Sequence, residues 1–253
     1  MSVSLPSWFL IARKDFFDAY RDRTLYYMGG LYVAFGLGLG RIYGRSAEAG
    51  ALLSESYVAL LAFLLPITAL AAAYDVVPWD RRSGRLRLLL TLPFSRRDVI
   101  VGTALCRSAL LSTFALGFLG LLTVTAAAHG LVPPLADLAV VAVASVLYAS
   151  CTACLVVAAS GWTGSGPIAL TTGILGLLTL LAWASVLRTV WRTAVDPATP
   201  GWIAAVQDLN LISGYLGTAQ LLHGGEPTGV LVLLGGIALP LVIGIAAMNR
   251  TAI

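Results

Sequence analysis

The chain has 253 residues, of which 58% are hydrophobic and only 11% charged, and its mean hydropathy of +0.89 excludes a soluble globular domain. Sixteen basic residues against twelve acidic ones leave a formal charge of +4, yet they gather between apolar runs rather than across one face, which argues against nucleic-acid binding. With roughly 20 apolar residues needed per crossing, the length suits one membrane domain, residues 1–253, with no room for a separate soluble one.

From the amino terminus, charges begin at Arg13 and no long apolar stretch runs into a small-residue cleavage motif, so a cleaved signal peptide is not expected. The segment PSWFLIARKDFFDAYRDRT predicts instead an amphipathic interfacial helix within residues 1–23, N-capped by Ser7. On a helical wheel Trp8, Phe9, Leu10, Phe16 and Phe17 share one broad arc. Lys14, Asp15, Asp18 and Asp22 fill the remainder, and Arg13 and Arg23 fall within the apolar arc with stems long enough to reach headgroups.

Six uncharged stretches follow, around 24–40, 56–74, 108–128, 138–160, 166–187 and 228–249. They are apolar throughout, without the in-out alternation of a membrane barrel, so the fold class is all-α with six transmembrane helices. Gly36 and Gly40 form a GxxxG pair, a mark of close helix contact either within the chain or between protomers. Pro66 and Pro240 interrupt the second and sixth stretches and predict kinks. Cys151 and Cys154 have CxxC spacing, but they stand among Ala, Val and Leu with no charge to lower a thiol pKa, and packing is their expected role. Glu55 and Arg107 stand at the ends of the second and third stretches, within reach of headgroups. No span centre carries a charge, which deprives an ion-coupled carrier of its usual coordinating groups.

Orientation follows from the arginines. With the amino terminus inside, Arg13, Lys14, Arg21, Arg23, the six arginines of 80–98, Arg107 and Arg250 all fall inside, 12 of the 16 basic residues. Six spans then place both termini in the cytoplasm. The long outer segment 188–228 contains GWIAAVQDLNLISGYLGTAQLL, whose spacing predicts a short re-entrant or surface helix. His129 and His223 fall near the outer surface without a second ligand at metal spacing, so no metal or haem site is expected. Lys14 is the sole lysine and follows Ala-Arg, so the chain contains no Walker A loop, which needs a lysine directly after glycine.

The stretch DRRSGRLRLLLTLPFSRRD, residues 80–98, is cytoplasmic by its arginines yet carries Leu86, Leu88, Leu89, Leu90 and Leu92. On a wheel these span an arc of about 200°, broad enough for contact on two sides: one with the membrane domain, the other with a partner. Pro93 then ends the helix, and Ser95 caps the next.

These residues carry a resemblance. The run from Ser83 and Gly84 through Arg85, Leu86, Leu89, Leu90, Pro93, Ser95 and Arg96 to Val99 and Gly102 is similar to the signature of type-2 ATP-binding-cassette (ABC) transporter permeases, S-G-T/S-L-x-x-L-L-x-x-P-x-S-R-x-x-V-x-x-G-K. Ala12-Arg13-Lys14-Asp15-Phe16 resembles the family's amino-terminal A-x-K-E/D-F/L element. The chain departs from the pattern where glutamates usually precede Ser-Gly, having Trp79-Asp80-Arg81-Arg82, and where Thr103 replaces the usual lysine.

The resemblance implies the membrane-spanning permease subunit of an ABC transporter, an exporter, in the plasma membrane. A cytoplasmic coupling helix within 75–98, between spans two and three, would bind a separate ATPase subunit, and two permeases would pair as a homo- or heterodimer. ATP would be used by the partner chain, so this chain would be no enzyme and hold no cofactor. The resemblance points to Arg85, Leu86, Leu89, Leu90, Pro93 and Arg96 as the partner-binding residues, and to spans one, two and five as lining the pathway or the dimer contact. The alternative is a non-transporting membrane scaffold that recruits a cytoplasmic partner through the same helix.

Overall fold

The computed structural model describes residues 6–21, 23–43, 57–86, 91, 94–163, 165–194, 208–224 and 227–250, and every regular element among them is a helix. That is the outcome expected where lipid offers backbone groups no partner. Helix α1 (Ser7–Tyr20) precedes α2 (Arg23–Tyr43). Helix α3 (Val58–Ala73) is followed, after a turn at Tyr74 and Asp75, by the short α4 (Val76–Arg82). Then come α5 (Arg96–Ala127), α6 (Leu135–Trp162), α7 (Gly166–Ala194), α8 (Leu211–Ala219) and α9 (Thr228–Arg250).

Among the described residues four stretches are long and apolar enough to cross a membrane: Val58–Arg82, formed by α3 and α4, and the whole of α5, α6 and α9. Helices α2 and α7 stand where the first and fifth crossings are expected, and Gly166–Leu178 within α7 is a shorter apolar helix. The chain is a multi-pass membrane protein.

Helix α6 is the hub, packed by α3, α5, α7, α8 and α9, while α5 also carries α1 and α2. Small side chains explain the central place of α6: Ala144, Ala149, Cys151 and Ala153 have no exposure, which lets neighbouring backbones come close. Cys151 and Cys154 are free and buried in this packing. The GxxxG pair works within the chain. Gly36 lies against Leu121 and Phe118, and Gly40 against Thr125, so both serve the seam between α2 and α5.

Polar groups inside the bundle are paired. Pro66 has no N–H to offer the carbonyl of Ala62 four residues earlier, and the Tyr148 hydroxyl of α6 donates to that carbonyl at 2.8 Å. Tyr57 donates to the Ala115 carbonyl at 3.0 Å and to Ser145 Oγ at 3.2 Å; Ser145 shares a further hydrogen bond of 3.1 Å with Tyr215. The Tyr215 and Tyr148 rings stack at 4.6 Å with an interplanar angle of 7°. Helix α8, capped by Asn210 Oδ1 accepting from the Ile212 N–H, is thereby folded into the bundle against α6 and α9 rather than lying on a surface.

Three helix ends can be set beside the sequence reading. Ser7 is the first helical residue and the cap position is Pro6, so the expected serine cap does not form. The third long helix begins at Arg96 under the expected Ser95 cap, well before the uncharged stretch from 108: Ser95 and Asp98 form a full capping box, and Val99, Ile100 and Thr103 are buried by protein in the first turns. Helix α7 runs on past 187 to Ala194 and carries Arg188 and Arg192.

Candidate functional site

Three arginines of the 80–98 stretch are engaged by the chain itself through helix ends and acidic partners. Arg81 donates to the carbonyls of Gly161 at 2.9 Å and Thr163 at 3.4 Å, at the carboxyl end of α6. Arg96 does the same for α9, donating to the Met248 carbonyl at 2.8 Å. Both reach carbonyls at the last turn or cap of a helix, and both bring positive charge to the negative end of a helix dipole. Arg82 meets both oxygens of Asp75 at 2.7 and 2.8 Å, beside Gly166 at the start of α7.

Arg85 sits at the centre of a second cluster. Gly84, with φ of +74°, turns the chain at the end of α4 through a conformation that side-chain-bearing residues avoid, and Arg85 follows it. Its guanidinium lies 2.8 Å from Asp18, 3.7 Å from Asp15 and 3.8 Å from Asp80. Lys14 adds a contact of 3.7 Å to Asp18. Asp15 also accepts a hydrogen bond from Thr103 at 3.2 Å. Burial pushes the Asp15 carboxyl above its ordinary value, against the pull of nearby Arg107 and of the Thr103 hydrogen bond. Arg107 stands one helical turn beyond Thr103, and its Nε is buried without a hydrogen-bond partner among the described residues.

Helix α1 reaches this cluster because α5 lets it come close. At Gly102 a Cβ would stand 2.8 Å from the Trp8 carbonyl and 2.9 Å from Ile11, so only glycine permits the crossing. Leu86, 1% exposed, completes the apolar side with Ile11, Val77, Val99, Ile100 and Met248. A cavity of about 460 Å³ opens beside the ions, lined by Asp15, Asp18, Tyr74, Trp79, Arg85 and Arg107 among others. The surface left outward includes Trp79, 59% exposed, with Arg82, Thr91 and Arg97.

Of the six residues the resemblance assigned to the partner, Arg85, Leu86 and Arg96 make their recorded contacts within the chain, while Leu89, Leu90 and Pro93 lie outside the described residues. Sequence reasoning did not assign Asp15, Asp18 and Arg107 to one cluster. The available signal was complementary charge: aspartates three residues apart on the polar face of one segment, and an arginine surplus on another assigned to the same side. Among the described residues no group of three His, Cys, Asp or Glu could hold a metal ion.

Comparison with known proteins places the chain in a family. Residues 9–251 match the family model described as ABC-2 family transporter protein. The chain is 30% identical over 113 residues to "Probable ABC transporter permease protein NosY" of Pseudomonas aeruginosa, covering 43% of this chain and 41% of the relative. It is 33% identical over 97 residues to the protein of the same description from Stutzerimonas stutzeri, covering 36% and 35% respectively. The chain thus spans about two fifths or less of the length of the curated relatives it matches, whereas the family match runs almost from end to end. This chain is a member of the ABC-2 family of transporter proteins.

Proposed function

We propose that the chain is the permease subunit of an ABC exporter, with six spans, both termini in the cytoplasm and a place in the plasma membrane. A second permease, identical or related, completes the pathway, and a separate ATPase subunit supplies the energy. The observation that carries this reading is the end of the molecule built around residues 75–98. There the signature segment is fixed to four helices through Arg81, Arg85, Leu86 and Arg96, with Trp79, Arg82 and Arg97 left on the surface.

Attachment at several points suits a segment that receives force from another chain, because a loop held nowhere would absorb the displacement instead of passing it on. In this reading Leu89, Leu90 and Pro93 supply the docking contact, and Arg85, Leu86 and Arg96 hold the segment to the spans. Inward orientation is supported by 12 of the 16 basic residues falling on one side, and exchange of ATP chemistry to a partner by the missing Walker A lysine. The printed descriptions of the two relatives as permease proteins agree with this assignment.

The test is purification of the full chain from its own membranes in mild detergent, with identification of co-purifying chains and assay of ATP hydrolysis. A Walker A ATPase recovered in equal amount, and lost in the Leu89→Asp variant with helix content unchanged, is the expected result. A folded chain that brings down no ATPase would favour the scaffold reading and end this one.

A further inference from the structure

We propose that Arg85 is a positioning residue: an ionic joint through which displacement of segment 75–98 is passed to α1 and from α1 to α5. The inference rests on the permease reading above and adds a route for movement within it.

An arginine intended only for a partner would project from the segment. Arg85 instead has its guanidinium among carboxylates from two elements, Asp15 and Asp18 of α1 and Asp80 of α4, with its side chain 35% exposed. A single exposed ion pair of this length holds little, but three carboxylates around one planar fork restrict its direction as well as its distance. The neighbouring residue repeats the link by other means: Leu86 is buried against Ile11 of α1 and against Val99 and Ile100 of α5. One dipeptide therefore holds α1 both by charge and by packing.

Helix α1 is in turn gripped on α5. The close crossing at Gly102 leaves no room for the helices to slide past one another without separating, and the Thr103 hydroxyl holds Asp15 at 3.2 Å. Asp15 thus contacts α5 and Arg85 at once. The two arginines of α4 lead elsewhere: Arg81 to the end of α6 and Arg82, through Asp75, to the start of α7. Movement of the segment is divided among three destinations, and Arg85 controls the one that leads to α1.

The experiment uses the full complex of the chain with its co-purified ATPase in lipid nanodiscs. Hydrogen–deuterium exchange is followed in peptides covering 7–20 and 161–166, with and without ATP plus vanadate. In the wild-type complex both peptides respond to the trapped nucleotide. In the Arg85→Ala variant, with each response scaled to the ATPase that co-purifies, the 161–166 response should persist while the 7–20 response is lost. The exchanged pair Arg85→Asp with Asp18→Arg should restore the 7–20 response in part, which a purely structural role would not predict.

An Arg85→Ala complex in which 7–20 still responds as in the wild type overturns the joint. So does loss of the response at both peptides with no recovery in the exchanged pair, which would mark a general folding role. If the wild-type chain recovers no ATPase, the permease reading itself has failed and the joint with it, a result distinct from either of those two.

Discussion

The two halves of this molecule are held together by different chemistry. Around residues 75–98 the elements are joined by arginines: Arg81 and Arg96 on helix-end carbonyls, Arg82 and Arg85 on aspartates. In the bundle interior they are joined by hydroxyls and rings: Tyr148 on the Ala62 carbonyl, Tyr57 and Tyr215 on Ser145, and Tyr148 stacked on Tyr215. Exposed ion pairs are individually weak and easily re-formed, whereas a buried hydroxyl bond leaves an unsatisfied group when it is broken. The comparison therefore divides the chain into a part suited to shift and a part suited to hold.

Breaking the interior gives the largest expected effect. Tyr215→Ala removes a fully buried ring, its stack on Tyr148 and its bond to Ser145, and should cost about 3 to 5 kcal/mol, seen as a large fall in melting temperature in detergent. Tyr148→Phe keeps the ring but strips the donor from the carbonyl that Pro66 leaves free, and should cost about 1 to 3 kcal/mol in the same assay. If the phenylalanine variant melts like the wild type, the interior is less dependent on its hydroxyls than the comparison requires.

Effects at the arginine-bearing end should be smaller. Ser95→Ala removes the cap that starts α5 and should cost about 0.5 to 2 kcal/mol, with faster hydrogen exchange confined to residues 96–99. Exchange spreading along the whole of α5 would show that this end is not separable from the interior. Asp15→Asn sharpens the comparison further. Because burial raises the Asp15 pKa above its ordinary 3.8, its contribution to stability is fully present below that value and is lost as pH rises through the raised one. The asparagine variant should be at least as stable as the wild type at neutral pH, and the difference should vanish as the pH is lowered into the carboxylate range. A variant that is clearly less stable at neutral pH would mean that the ion pair with Arg85 outweighs burial.

Much of this architecture could be read from the chain. Continuous apolar runs placed the helices, Ser95 with Asp98 three residues on marked the start of α5, and the outer segment showed its helical spacing before α8 was seen. What could not be read has a common cause. The acceptors for Arg81 and Arg96 are main-chain carbonyls of Gly161, Thr163 and Met248, and a carbonyl leaves no trace in the identity of its residue. Arg107 was expected to reach headgroups from the end of an apolar run, and nothing in that run showed that α1 would pack on the early turns of α5 and bring Asp15 beside it. The GxxxG pair announced a close contact but not its partner, since Thr125 lies far along the chain and bears no complementary motif.

The arginine caps also set an order of construction. Arg81 emerges during synthesis 80 residues before Gly161 and 82 before Thr163, and Arg96 emerges 152 residues before Met248. Each must therefore wait, solvated or among headgroups, until a much later helix brings its acceptor into place. The contacts of this early-encoded end are therefore completed only once α6 and α9 are in place. A chain translated no further than α8 would present Arg96 without its Met248 acceptor.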